Sequence, residues 1–298
     1  MKKTKSRLTT LILALLFLVG LGLVLYPTVS DYWNSLHSSR AIASYSQQVA
    51  NIDNDMYDHL WESAFKYNED LAKKENQYVM DDPELYRSLL DIGGGGVMGY
   101  IEIPAIAVSL PIYHGTEESI LQIAVGHIEW SSLPVGGIGS HSVLSGHRGL
   151  PSAKLFSDLD KLTVGDEFMI CVLDEVLTYE IDQILIVLPQ ETGALLIDHD
   201  HDYCTLVTCT PYAINSHRLL VRGHRIETEE ATRAAVRVTA DAMQIQPSLI
   251  APFLAVPLII ILLIVLFIGD KKSAPGIENV YEKYREGRDG DKESRKKT

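Results

Sequence analysis

Cysteine is scarce in this chain, which has only three cysteines, Cys171, Cys204 and Cys209, among its 298 residues. So few thiols exclude a disulfide-rich scaffold, although one disulfide with one free thiol remains open. Because the number is odd, at least one thiol has no partner within the chain. An unpaired cysteine is a candidate nucleophile.

Basic residues are also in deficit. Lysine and arginine number 26 against 39 aspartates and glutamates, which gives a net charge of −13. Binding to nucleic acid needs basic patches that face the phosphates. We therefore expect no nucleic-acid partner.

The sequence contains no convincing motif for a cofactor or a metal. The glycine run Gly93–Gly96 lacks the lysine of a P-loop and the spacing of a dinucleotide-binding motif, so we interpret it as a flexible joint. The polar run 198–202 (DHDHD) is interpreted as a solvated loop, with weak cation binding as the alternative. We expect no cofactor and no metal.

Long apolar runs, by contrast, are present near both ends of the chain. Leu8–Tyr26 and Ser248–Gly269 contain no charged residue, and each approaches the roughly 20 residues that an α-helix needs to cross a bilayer. Basic residues precede the first run, and Lys271 and Lys272 follow the second. Since such residues stay in the cytoplasm, we predict a two-span protein of the cell membrane with its acidic middle domain outside. A cleaved signal peptide is the alternative for the first run.

The middle of the chain changes from helical to β character. Apolar residues from Ile42 to Leu71 recur at steps of three and four, which predicts one or two helices packed on the following domain. From Val97 onward short apolar segments alternate with glycine and proline turns, which is typical of a closed or nearly closed β-barrel. Strands are predicted at Val97–Ile103, Val108–Tyr113, Ser142–Leu144, Phe168–Leu173, Leu177–Leu188, Thr205–Thr210 and Arg218–Ile226, and short helices at Glu118–Ala124 and Ser157–Leu162.

These patterns divide the chain into six segments. They are a basic start with the first span (1–30), a helical arm and linker (31–96), a β-barrel (97–228), a second linker (229–246), the second span (247–269) and a charged, solvated cytoplasmic tail (270–298). The fold class is therefore mainly β.

The three cysteines occupy different sequence environments. Cys171 lies within an apolar strand, where a small buried side chain is expected, and Cys204 lies just before a strand without a basic neighbour. Cys209 lies at the end of a β-rich run that Pro211 stops, where a side chain can reach a cleft. Arg218 follows nine residues later and lies beside Cys209 if the intervening loop is a hairpin.

Ten histidines compete for the role of base. His147 is flanked by glycines in the segment SGHRG at 145–149, at the end of a strand. This position favours an exposed imidazole over a cleft. From these residues alone, a structural and a catalytic role remain equally open.

Three segments together resemble a known family. TLVTC at 205–209, SGHRG at 145–149 and HRLLVRG at 217–223 are similar to the active-site segments of sortases. The segment GHRGLPSAKLF and the apolar runs at both ends are closer to class C, pilus-assembling sortases, and the likeness extends over about residues 40–228. It implies an eight-stranded sortase β-barrel with short helices, preceded by the helical arm and flanked by two transmembrane helices.

The resemblance also implies roles and substrates. Cys209 would be the nucleophile, His147 its partner and Arg218 the third active-site residue. Class C sortases cleave an LPxTG-like sorting signal in a pilin and join the acyl group to a lysine amine of another pilin. Alternatives are a housekeeping sortase that attaches surface proteins to peptidoglycan, a hydrolytic cysteine protease and a non-catalytic anchored scaffold.

One segment departs from the class C pattern. Members of that class carry a lid with an Asp-Pro-aromatic motif over the thiol, whereas here Asp82 and Pro83 are followed by Glu84. A charged residue is costly to bury unpaired, and no aromatic residue directly follows the proline, so Tyr78 and Tyr86 are the alternative anchors of this segment. We therefore expect a shortened, weakly held lid, with Asp82 at most a loose partner of Arg218.

Overall fold

The computed structural model describes residues 2–230 together with the isolated residues Thr232 and Ile259, and side chains from Ile12 onward. The elements below belong to the first of two compact units, residues 1–243. Apart from the isolated Ile259, the predicted second span at 247–269, the tail at 270–298 and most of the second linker lie outside the described residues.

Two long helices precede the barrel. Helix α1 (Lys2–Val49) passes through Pro27 without ending, and α2 (Asn54–Ala72) begins where the Asp53 carboxylate accepts a hydrogen bond from the backbone N–H of Met56. Within the described part of the chain, α1 is the one helix long and apolar enough to cross a membrane. The predicted helical region before the barrel is thus confirmed.

Eight strands form the closed barrel that the resemblance implied. They are β1 (Val97–Ile103), β2 (Val108–His114), β3 (Val125–His127), β4 (Ser140–Ser145), β5 (Glu167–Val172), β6 (Glu175–Val187), β7 (Asp202–Thr210) and β8 (His217–Ile226). Their order around the barrel is β1-β2-β3-β4-β7-β8-β6-β5. Two short α-helices, α3 (Pro83–Ser88) and α4 (Glu118–Leu121), and a 3₁₀ turn at Leu159–Lys161 fill the connections.

Strand β7 lies between β4, with which it is parallel, and β8, with which it is antiparallel. We call the end at which β4 and β7 finish and β8 begins the upper end of the barrel, and the other the lower end. Strand β7 begins at Asp202, so Cys204 lies within the strand. The prediction that Cys204 lies just before the strand is therefore wrong. The Cys204 thiol is fully buried in the core, and burial raises its pKa well above the usual value.

Helix α1 packs along the outside of the barrel. Ile42 and Tyr45 contact an outward-facing apolar patch of the barrel that includes Tyr100. The Tyr45 hydroxyl donates to the carbonyl of Met98 at 3.0 Å and accepts from the backbone N–H of Leu173 at 2.8 Å. Buried polar groups need such partners, so these bonds fix the position of α1 on the barrel.

The lower-numbered part of α1 contacts the loop that follows β4. The side chain of Asn34 donates to the carbonyl of Ser152 at 2.8 Å, and the carboxylate of Asp31 accepts from the backbone N–H of Lys154 at 2.6 Å. Since Tyr45 is held near the start of β1, α1 has one contact region near each end of the barrel.

The segment between α2 and β1 is folded onto the barrel. The Asp82 carboxylate caps α3 by accepting from the backbone N–H groups of Glu84 and Leu85. Tyr86, in the middle of α3, is fully buried against the rings of His114 and His127. An aromatic anchor is therefore present, two residues after the position of Glu84, where the class C motif has its aromatic residue.

Candidate active site

Cys209 and Arg218 are brought together by the hairpin of β7 and β8. Their Cα atoms are partners in the antiparallel register, so the two side chains leave the same face of the sheet at the upper end. Cys209 is a free thiol that is only partly buried. This is the arrangement that a hairpin across residues 211–216 predicts.

His147 lies at the same end, two residues beyond Ser145, the last residue of β4 that pairs with β7. The backbone N–H of Gly146 donates to the carbonyl of Val207 at 3.0 Å, and the Thr208 hydroxyl donates to the carbonyl of Gly146 at 2.7 Å. These bonds attach the chain just before His147 to the residues just before Cys209. The structure thus gathers all three predicted site residues at one end of the barrel.

The imidazole of His147 faces a carboxylate that the sequence reading did not single out. Its Nε2 atom lies 3.2 and 3.3 Å from the two carboxylate oxygens of Glu118, on α4. Glu118 is exposed, and its pKa is lowered by a hydrogen bond from Gln122 and then by His147. A carboxylate only accepts hydrogen bonds, so this contact directs the Nε2–H of the imidazole towards Glu118.

Arg218 keeps its guanidinium close to its own loop. Nη1 donates to the backbone carbonyls of Asn215 at 3.3 Å and of His217 at 3.1 Å. Both acceptors are neutral, so these bonds leave the positive charge uncompensated. A substrate oxyanion could therefore interact with it.

Asp82 and Pro83 lie elsewhere in the described structure. The Asp82 carboxylate is used to cap α3, and among residues 12–230 no ion pair joins it to Arg218. The segment that contains them is connected to the site through an ion pair of α3. Arg87 of α3 pairs with Glu117 at 3.7 Å, and Glu117 is the sequence neighbour of the Glu118 that contacts His147.

Two buried histidines have structural roles. His127 bonds to the Tyr86 hydroxyl and to the Ser132 carbonyl, and His141 bonds to Thr205 and the Leu196 carbonyl. Desolvation lowers the pKa of His127 to about 3 and that of His141 to about 4. Both imidazoles are therefore neutral at physiological pH and stabilise the connections around β3 and β4.

A cavity of about 640 Å³ opens at the lower end of the barrel, between the aromatic face of α2 and the starts of β4 and β7. Tyr57, Trp61 and Phe65 line one wall, and Asp202 and Arg225 belong to the other. None of the three predicted site residues contributes to it. The chemistry of a thiol, an imidazole and a guanidinium belongs to the upper end.

The chain is similar to proteins of one family. The sortase domain family matches residues 101–226. Sortase D of Bacillus subtilis is 31% identical over 135 residues, a region that spans 44% of this chain and 65% of that protein. The chain therefore aligns with just under two thirds of that relative.

Solved structures extend the likeness to one class. Sortase C1 of Streptococcus agalactiae has 49% sequence identity and a TM-score of 0.62, and the match covers 64% of this chain and all of that one. A sortase C structure from Streptococcus pneumoniae, described for its catalysis and pilin substrate specificity, has 44% identity and a TM-score of 0.58. That match covers 63% of this chain and 97% of the other.

Proposed function

We propose a reaction for this chain from the family to which it belongs: it is a member of the sortase family of cysteine transpeptidases, and the solved structures similar to it include class C sortases. The proposed reaction is pilus polymerisation. The enzyme cleaves an LPxTG-like sorting signal between Thr and Gly in one pilin and joins the new acyl group to a lysine amine of another. The observation that carries the proposal is the register pairing of a partly exposed thiol with an uncompensated guanidinium.

Cys209 supplies the nucleophile in this proposal. The thiolate attacks the carbonyl carbon of the Thr–Gly bond, and a carbon–sulfur bond forms while the carbonyl becomes an oxyanion. The other two cysteines are buried in the barrel or beneath α1, where no substrate reaches them. Cys209 alone among the three combines accessibility with a basic neighbour.

His147 moves the proton. As an imidazolium it stabilises the thiolate, and it then gives its proton to the departing glycine amine when the carbon–nitrogen bond breaks. The product is a thioester. The neutral imidazole next accepts a proton from the incoming lysine amine, whose attack releases the thiolate.

Arg218 stabilises the oxyanion. Its guanidinium stays charged and offers donors in a rigid plane, which suits a carbonyl oxygen that gains negative charge. The backbone carbonyls that it now contacts are weaker acceptors than an oxyanion. An exchange of partners when substrate arrives is therefore favourable.

The proposed location is the cell membrane, with the barrel on the extracellular side. The apolar part of α1 supports an anchor, and basic residues precede it. Impermeant protease or label added to intact cells should reach residues 31–246 and spare 270–298. Outside labelling of a tag placed after Thr298 would overturn the two-span topology.

A two-step experiment tests the reaction. The full chain is incubated with an LPxTG peptide, and mass spectrometry should find a thioester on Cys209. Addition of a lysine-containing pilin peptide should then give an isopeptide-linked product. Cys209→Ala should lose both products, whereas Cys171→Ala and Cys204→Ala should keep them.

The acceptor distinguishes the alternatives. Equal release of acid with and without the pilin peptide would indicate a hydrolytic protease. Preference for the amine of a peptidoglycan stem peptide would indicate the housekeeping reaction. Full activity of Cys209→Ala would contradict the proposal as a whole.

A further inference from the structure

The direction of α1 relates the active site to the end of the apolar run. Tyr45 bonds to Leu173, which follows the end of β5, and the end of β5 pairs with the start of β6. The other end of β6, at Val187, pairs with Arg218. Tyr45 therefore lies at the lower end of the barrel, and α1 runs from the upper end to the lower end.

The upper contact of α1 involves the loop that carries His147. The backbone N–H of Phe156 donates a hydrogen bond to the carbonyl of His147 and closes this loop. Within the loop, Ser152 contacts Asn34 of α1, and Lys154 contacts Asp31 of α1. Going back along α1 from Asp31, the next residues lead to the apolar run that ends at Tyr26. The active-site end of the barrel thus faces the apolar run.

The separation between them is short. Asp31 follows Tyr26 by five residues along the helix, which corresponds to a rise of about 7.5 Å at 1.5 Å per residue. The polar headgroup layer on one side of a bilayer is roughly 5–8 Å thick, from the difference between total and hydrocarbon thickness. A bilayer crossed by the apolar run would therefore place the loop at Ser152 and Lys154 at the surface of the headgroups.

Exposed apolar side chains are found at this level. Tyr212 and Ile214, on the loop that joins Cys209 to Arg218, are 61% and 71% exposed, and Trp33 of α1 is 62% exposed. The Tyr212 ring packs on Gly149, where an added Cβ would lie 2.6 Å from it. This contact attaches the 211–216 loop to the loop that touches α1.

We propose that Tyr212, Ile214 and Trp33 form a surface that contacts the lipid headgroups and holds the Cys209 end of the barrel against the membrane. The inference rests on the proposed function in one respect, the use of α1 as an anchor. Tryptophan and tyrosine are the side chains favoured at a membrane interface, because a ring combines apolar area with a polar group. A lipid surface is the partner that both the composition and the position of these residues fit.

The test measures how close the 211–216 loop lies to lipid. Full-length Cys209→Ala chain carrying Ile214→Cys is labelled with a fluorophore, since Cys171 and Cys204 are buried. It is reconstituted in vesicles of phosphatidylcholine and phosphatidylglycerol that contain a headgroup-linked quencher. Tyr212→Cys provides a second reporter, so that one poorly folded variant does not decide the result.

Ile138→Cys is the matched control, because Ile138 is 78% exposed and precedes β4 at the lower end. Ten residues of β8 at about 3.3 Å, tilted as in barrels, separate the two ends by about 25 Å. Position 214 should therefore be quenched at least about threefold more than position 138, because contact quenching fades within such a distance.

The outcomes separate this inference from the proposed function. Equal quenching at 214 and 138, or quenching at neither, would overturn the membrane contact even if the unlabelled enzyme forms its thioester. Protection of position 214 that grows with protein concentration but not with lipid would assign the surface to a second copy of the chain, and would also overturn it. Release of the chain from the vesicles by alkaline carbonate would instead contradict the role of α1 as a membrane anchor.

Discussion

Cys209 and Arg218 face each other directly across β7 and β8, as partners in the antiparallel register. Opposed Cα atoms in such a pair are separated by about 4.5–5.5 Å. The spacing of thiol and guanidinium is therefore set by the barrel backbone and not by the loop between them. Their relative position should survive changes to residues 212–215.

Arg218→Lys should fold normally but lose turnover by about 10²-fold or more, as when one oxyanion donor is removed. Lysine keeps the charge but not the planar donor pair. The rate of thioester formation with an LPxTG peptide measures the effect. Near-normal rates would show that the guanidinium has only a structural role.

Arg222→Lys is the control for this substitution. Arg222 lies further along β8, where it forms an ion pair with Asp182 and covers the ring of Tyr203. Its replacement should leave the rate of thioester formation within about twofold, because Arg222 lies four residues, or about 13 Å, further along β8 than Arg218. A large loss of rate here would transfer the role to Arg222.

Glu118→Gln should slow thioester formation by at most about threefold at low ionic strength, as expected for an exposed pair that is screened by solvent. The reason is that the carboxylate holds the His147 imidazole in position through a hydrogen bond. Glu117→Gln, which removes the neighbour that pairs with Arg87, should leave the rate unchanged. The effect of Glu118→Gln should shrink at high salt, since salt weakens the pair; equal rates for the wild type and Glu118→Gln at low ionic strength would contradict a positioning role.

Glu102→Gln should stabilise the barrel at alkaline pH. Burial raises the pKa of Glu102 to about 7, although the Ser109 hydroxyl donates to it at 2.6 Å. Between its ordinary value and about 7 the folded state binds more protons than the unfolded state, so stability falls as pH rises. The gain at pH 8 should be on the order of 2 kcal/mol and should vanish near pH 4. Urea unfolding at both pH values checks this, and an equal effect at pH 4 and pH 8 would refute it.

Asp82→Ala with Pro83→Ala should change the rate at which a bulky reagent modifies Cys209 by less than about threefold, which corresponds to an energy near RT. The Asp82 carboxylate caps α3, while Tyr86 still holds the segment on the barrel. Loss of the cap should instead lower the free energy of unfolding by about 1 kcal/mol. A fiftyfold faster modification would reveal that this pair covers the thiol.

Local sequence patterns were sufficient for seven of the eight strands of the barrel but not for the order in which the strands pair. The alternation of apolar and polar residues predicts β6, and Pro211 predicts the end of β7. The structure contains both elements. Strand β3 was not predicted, because Val125–His127 is too short to show an apolar–polar alternation with a period of two residues. Its parallel pairing with β2, and that of β4 with β7, join distant segments through contacts that no local pattern encodes.

The candidate site likewise combines a contact that the sequence predicts with contacts that depend on tertiary packing. Cys209 and Arg218 are close in sequence, so a hairpin predicts their proximity. Glu118 lies 29 residues from His147, and only the packing of α4 beside the end of β4 brings them together. Tyr86 was named by no motif, because its anchoring depends on the pocket that His114 and His127 form around it.

The burial of Tyr86 limits how often the segment around α3 can leave the barrel spontaneously. Undocking would expose a ring worth about 2–3 kcal/mol of apolar burial, and would break its hydrogen bonds with His127 and Gly115, each worth about 1 kcal/mol. A state about 4 kcal/mol above the ground state is populated by roughly one molecule in a thousand. Any regulation through this segment would thus need a ligand that competes for the Tyr86 pocket, since thermal opening alone is too rare.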